Sequence, residues 1–154
     1  APALRGYGIV SLLHGPWGLE YLSQNGAQNH SLFARLRTRW ISRTLHRIER
    51  DWYGLARQLD KVGPDAADAP RLRGELRDLV VQTVDFVRNK PYFVSDEISL
   101  VDVTIAPILW RLPHWGIDLP GPQAQPIMRY AQLVFSRPGF RASLSQAEQA
   151  MRVP

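Results

Sequence analysis

The sequence of 154 residues contains no cysteine. That excludes disulfides, thiolate metal sites and a cysteine nucleophile. Lysine is scarce too: it stands only at positions 61 and 90, so 17 of the 19 basic residues are arginine. Long apolar runs are missing. The longest uncharged one, Val103 to Trp110, is eight residues and too short to span a bilayer. The first residues lack a charged segment, apolar core and small-residue cleavage site in series, so a cytoplasmic chain is expected. Neither a Gly-x-x-x-x-Gly-Lys phosphate loop nor a Gly-x-Ser-x-Gly elbow is present. The four histidines (14, 30, 46 and 114) are far apart, so no metal site and no cofactor are expected.

What is present is an ordinary folding composition, 45% apolar and 21% charged, which excludes wholesale disorder. The net charge of +5 is confined. Residues 1–50 carry seven Arg and two Glu, which is +5; residues 51–154 carry twelve basic and twelve acidic groups, which is zero. A basic helix face of this kind suits an acidic protein surface or nucleic acid.

Residues 1–33 hold five of the eleven glycines and a polar run from Ser23 to Ser31. They read as an irregular segment ahead of a helical domain over 34–154. From Ala34 the pattern is helical: Leu36, Trp40, Ile41, Leu45, Ile48, Trp52, Leu55 and Leu59 form one apolar stripe. Arg35, Arg39, Arg43 and Arg50 line the other face. Gly63-Pro64-Asp65 ends this helix, and a second runs from Pro70 to about Arg88. Ser99-Leu100-Val101-Asp102 forms a capping box, with Ile98 and Val103 spaced as a hydrophobic staple. The helix it opens is apolar nearly all round, so it is expected at the centre, kinked at Pro107. Pro126 to Phe135 gives a fourth helix, and Ser136 to Gly139 a break. Ser145-Gln146-Ala147-Glu148 is a second capping box that opens a short fifth helix. The expectation is an all-α bundle of about five helices. Ser99 and Asp102 read as a cap, not as a catalytic pair. Trp40, Trp52, Trp110 and Trp115 read mostly as core. Trp40, beside Arg39 and Arg43, is kept as a partner contact, and His46 lies on the same basic helix.

The stretch from Lys90 to Asp102, Lys-Pro-Tyr-Phe-Val-Ser-Asp-Glu-Ile-Ser-Leu-Val-Asp, resembles the start of the central helix in the C-terminal domain of glutathione S-transferases. Four blocks narrow the resemblance: His46 to Tyr53, Ser95 to Asp102, Ala106 to Pro113, and Phe140 to Arg152. In order and spacing they resemble the stringent starvation protein A family, over about residues 40–153. The resemblance implies a bacterial, cytoplasmic, dimeric, RNA polymerase-associated transcription regulator of the stress response. It implies contact with polymerase or its sigma factor, and no transferase activity. The family's thioredoxin-like domain and its Pro-His-Pro linker have no counterpart in residues 1–33, which are expected to be a diverged remnant. Tyr7, in Gly6-Tyr7-Gly8, lacks the surroundings of a glutathione-activating tyrosine. The expectation is therefore no catalytic residue, with Arg39, Arg43, Arg47, His46 and Trp40 as the partner surface. Nucleic acid is expected to be touched only indirectly, and no membrane. The alternative is a glutathione S-transferase-like enzyme, or a fragment of one that has lost its glutathione-binding half.

Overall fold

The computed structural model describes residues 32–152, with side chains from residue 39. The reading of residues 1–31, Tyr7, His14 and His30 included, lies outside them. The described residues form an all-α domain.

Helix α1, Leu32–Val62, buries Leu45, Ile48, Trp52, Tyr53, Ala56 and Leu59 along one stripe. It stops at Gly63, whose φ of 80° suits only glycine without strain and whose N–H returns to the Leu59 carbonyl at 3.2 Å. Helix α2, Ala69–Gln82, carries Pro70 in its first turn and buries Leu72, Leu76 and Val80.

The second helix was expected to run to Arg88 but breaks at Thr83. Both the Thr83 N–H (3.1 Å) and its hydroxyl (2.6 Å) donate to the Val80 carbonyl, which tightens the last turn and ends the regular ladder. A short helix α3, Val84–Val87, follows. An irregular connector then leads to helix α4, Leu100–Arg111.

Helix α4 is central. Residues 101–109 are all buried, and it packs against α1 on one side and helix α5, Gln125–Phe135, on another. Tyr53 of α1 donates its hydroxyl to the Thr104 carbonyl of α4 at 2.7 Å. Pro107 lies inside α4, and the helix runs on past it to Arg111.

A 3-10 turn, Leu112–Trp115, ends at left-handed Gly116, and the Ile117 N–H reaches back to the Leu112 carbonyl. Two short helices close the chain: α6, Pro138–Ser143, and α7, Gln146–Ala150. The break expected across Ser136 to Gly139 is shorter than that. Pro138 fills a first-turn position, where its fixed φ and missing N–H are harmless. Phe140 of α6 is buried against Trp110 and Phe135, at 5.6 and 5.2 Å between ring centroids. The Trp110 indole N–H donates to the Glu148 backbone carbonyl at 2.8 Å, which fixes α7 to the end of α4.

Candidate functional site: a basic, aromatic helix face and two buried clasps

The exposed side of α1 presents Arg39, Arg43, His46 and Arg47 to solvent. Four-residue spacing puts the three arginines along one stripe. None of the three makes an ion pair with another described residue, whereas Arg50, the next cation along, is matched by Asp51 at 2.7 Å. Trp40 borders this stripe. It is 39% exposed, so it departs from the core role of its fellow tryptophans; Trp52 and Trp115 are buried and Trp110 is half-buried. Trp40 sits at the margin of the apolar stripe and meets Phe86 of α3 at 6.1 Å instead of the central helix. Phe86 is 44% exposed and was not singled out from sequence, since it falls one residue short of the buried Val87.

The interior holds two capping boxes, and each acid does two things. Ser99 is the N-cap of α4. One Asp102 oxygen, Oδ2, accepts the Ser99 N–H at 2.7 Å and the Ser99 hydroxyl at 3.0 Å. The other, Oδ1, accepts the Phe93 N–H at 3.1 Å and the Tyr130 hydroxyl at 2.8 Å. Asp102 therefore ties the connector, α4 and α5 together. Ile98 and Val103 are buried beside it, at the staple positions.

Ser145 and Glu148 repeat the pattern. Glu148 Oε2 accepts the Ser145 N–H and hydroxyl, both at 2.9 Å. Its Oε1 accepts from Arg111 at 2.9 Å. Arg111, 1% exposed, also faces Asp60 of α1 at 3.7 Å, and Asp60 accepts the Trp115 indole N–H at 2.8 Å. The pairing of Tyr130 and Phe93 with Asp102 is not read from sequence, nor is the Arg111–Asp60–Glu148 group, of which the sequence gives only Glu148, as a cap. The local signal is a charge at Arg111, the last residue of an apolar helix.

Burial sets the electrostatics. It pushes the Asp102 carboxyl above its usual range, against the opposing pull of the Phe93 and Ser99 N–H groups and the two hydroxyls. Burial likewise raises Glu148, opposed by the Ser145 N–H, and lowers Arg111. Burial and the adjacent Asp102 charge hold Tyr130 well above the usual phenol value, so it stays a neutral donor. A carboxyl raised in the folded state contributes stability that is complete below the unfolded value and is lost as pH rises through the folded one. We therefore expect the thermal midpoint to be higher at pH 5 than at pH 7, with Asp102→Asn reducing the difference; calorimetry across that range checks it.

Ser99 is 1% exposed and its hydroxyl is committed to Asp102, so it is closed to any substrate. Among the described residues no three His, Cys, Asp or Glu side chains converge as a metal site, and no helix is long and apolar enough to cross a membrane.

A sequence model of the glutathione S-transferase C-terminal domain matches residues 38–138. Among curated proteins, the stringent starvation protein A homolog of Coxiella burnetii is 36% identical over 121 residues, which is 77% of this chain and 54% of that protein. That of Haemophilus ducreyi is 38% identical over 66% of this chain and 47% of its own length. That of Pasteurella multocida is 41% identical over 64% and 45%. The chain spans about half the length of these relatives.

Proposed function

Because the chain belongs to the glutathione S-transferase C-terminal domain family, we propose that it is a regulator of the stringent starvation protein A type, working by protein–protein contact and not by catalysis. The partner is RNA polymerase or its sigma factor, in a bacterial stress response in the cytoplasm. The observation that carries the reading is the row Arg39, Arg43 and Arg47, exposed and held in no ion pair with a described residue, with only Arg47 near enough to Asp51 to act on its charge. Arginine forks left open to solvent suit the carboxylates of an acidic protein surface. His46 shares that face, and Trp40 borders it.

A second copy of the chain completes the assembly through α1 and α2. Between them an open groove of about 490 Å³ sets Leu55 and Leu79 among Arg50, Asp51, Glu75 and Asp78. Leu55 and Leu79 would supply the apolar contact about a two-fold axis.

The test is retention of purified bacterial RNA polymerase by the immobilised chain at low salt. Retention by the wild type and its loss on combined Arg39→Glu, Arg43→Glu and Arg47→Glu is expected; unchanged retention counts against the reading. Immobilised glutathione tests the enzyme alternative, and no retention is expected there. Direct nucleic-acid binding would show a steep loss of affinity with salt.

A further inference from the structure

A second concentration of positive charge lies away from α1, where the end of α3 and the connector meet α5. There an open cleft of about 590 Å³ is lined by Arg88, Lys90 and Arg129, over the ring of Tyr130 and beside Leu133. None of its described lining residues is a carboxylate. The groove between α1 and α2 differs, since Asp51, Glu75 and Asp78 outnumber Arg50 there. Cations gathered around one concave space without acids give it a positive potential that attracts an anion.

These cations are held in place. Arg129 Nη2 donates to the carbonyls of Val87 at 2.7 Å and Arg88 at 2.9 Å, where the short helix α3 ends. Bare carbonyls there would repel an anion, and Arg129 covers them. Its Nε and Nη1 keep no hydrogen-bond partner among the described residues. Lys90 spends one N–H on the Phe93 carbonyl at 3.3 Å and keeps the rest of its ammonium. The Tyr130 hydroxyl is committed to Asp102, so the ring is what this residue offers the cleft, as an apolar floor tied to the central clasp. Arg88 is the contested member. Its Nε and Nη2 both donate to Oδ1 of the exposed Asp85, at 3.1 and 2.9 Å.

We propose that this cleft binds the phosphate group of a small molecule. Guanidinium forks from Arg88 and Arg129 and the Lys90 ammonium, gathered around one space, suit a group whose oxygens accept on every side. The Tyr130 ring and a volume within the usual range of small-molecule sites leave room for the body that carries the phosphate. Asp85 competes with the ligand for Arg88, so binding draws Arg88 away from it. The site uses none of the α1 arginines and does not rest on the protein-contact reading.

Isothermal titration of the chain with inorganic pyrophosphate, in magnesium-free buffer at physiological salt, tests the proposal. Single-site saturation is expected. Arg88→Gln and Arg129→Gln should each weaken binding about tenfold, the loss of one charge-assisted hydrogen bond. Asp85→Asn should tighten it by releasing Arg88. Combined Arg39→Gln, Arg43→Gln and Arg47→Gln should leave it unchanged, because salt screens charges outside the site. Circular dichroism checks that each variant is folded; Arg88→Gln and Asp85→Asn, both at exposed side chains, decide the matter if Arg129→Gln is not. Absence of saturation overturns the site. Weakening by the α1 variant with Arg88→Gln unaffected assigns the binding to the basic row and overturns it too. Equally tight binding of citrate, a carboxylate of similar charge, overturns the assignment to phosphate. Displacement of pyrophosphate by a phosphoserine peptide at lower concentration assigns the cleft to a modified partner protein and overturns the small molecule.

Discussion

Asp102→Ala is expected to be the most damaging single substitution in the polar interior, costing about 3–5 kcal/mol in urea unfolding. The reason is the number of donors it strands. The Phe93 N–H, the Ser99 N–H and the Tyr130 hydroxyl all point to this carboxylate, and all three belong to buried residues. Each buried donor left without an acceptor costs about 1–3 kcal/mol. Ser99→Ala removes one side of the same clasp and is expected to cost only about 0.5–2 kcal/mol, because Asp102 keeps its other donors. The ratio matters more than either value. If Asp102 served only as a helix cap, the two substitutions would cost about the same, and equal losses would remove its role as the tie between the connector, α4 and α5.

Arg111→Met is expected to cost a similar amount, about 3–5 kcal/mol, for a different reason. It leaves Asp60 and Glu148 in the interior with no cation between them. Replacing an entire buried ion cluster by apolar residues is often neutral. Here it should not be, since each acid also accepts a hydrogen bond from elsewhere. Asp60 accepts the Trp115 indole N–H, and Glu148 caps α7. Adding Asp60→Asn and Glu148→Gln to Arg111→Met is expected to recover about half of the loss, because the amides remove the stranded charges and keep an acceptor at each position. The single variant should also lose less at pH 5 than at pH 7. Burial already raises the Glu148 carboxyl, and loss of the Arg111 cation raises it further, so its protonation stabilises the folded variant as pH falls. Equal losses at both pH values would show that Arg111 acts through packing alone.

These two effects lie where the sequence is hardest to read. The capping boxes are legible because they are local: Ser99 with Asp102 and Ser145 with Glu148 each close over three residues, and the hydrogen bonds follow the spacing. The second oxygen of each acid is not legible. Its partners are Tyr130, 28 residues on from Asp102, and Arg111, 37 residues before Glu148. No periodicity encodes pairings at that range.

The same contrast holds for the backbone. Gly63 ends α1 through a conformation its own residue type favours, and the sequence marks it. The stop at Thr83 depends on a hydroxyl turning back to the Val80 carbonyl within an otherwise helical pattern, which composition does not reveal. Pro138 reads equally as a breaker or as a first-turn residue, and the structure takes the second option. On the candidate face, the arginine row is visible from spacing alone. Phe86 becomes part of the face only because the break at Thr83 opens a separate short helix that sets its ring against Trp40.

Regulation by contact requires that the basic side of α1 be the side a partner covers. Labelling with an arginine-specific dicarbonyl reagent, read by mass spectrometry with and without RNA polymerase, tests that residue by residue. Arg39, Arg43 and Arg47 are expected to be protected in the complex, while the exposed Arg77 and Arg141 react as in the free chain. Protection of Arg77 or Arg141 with the α1 arginines still fully reactive would contradict it.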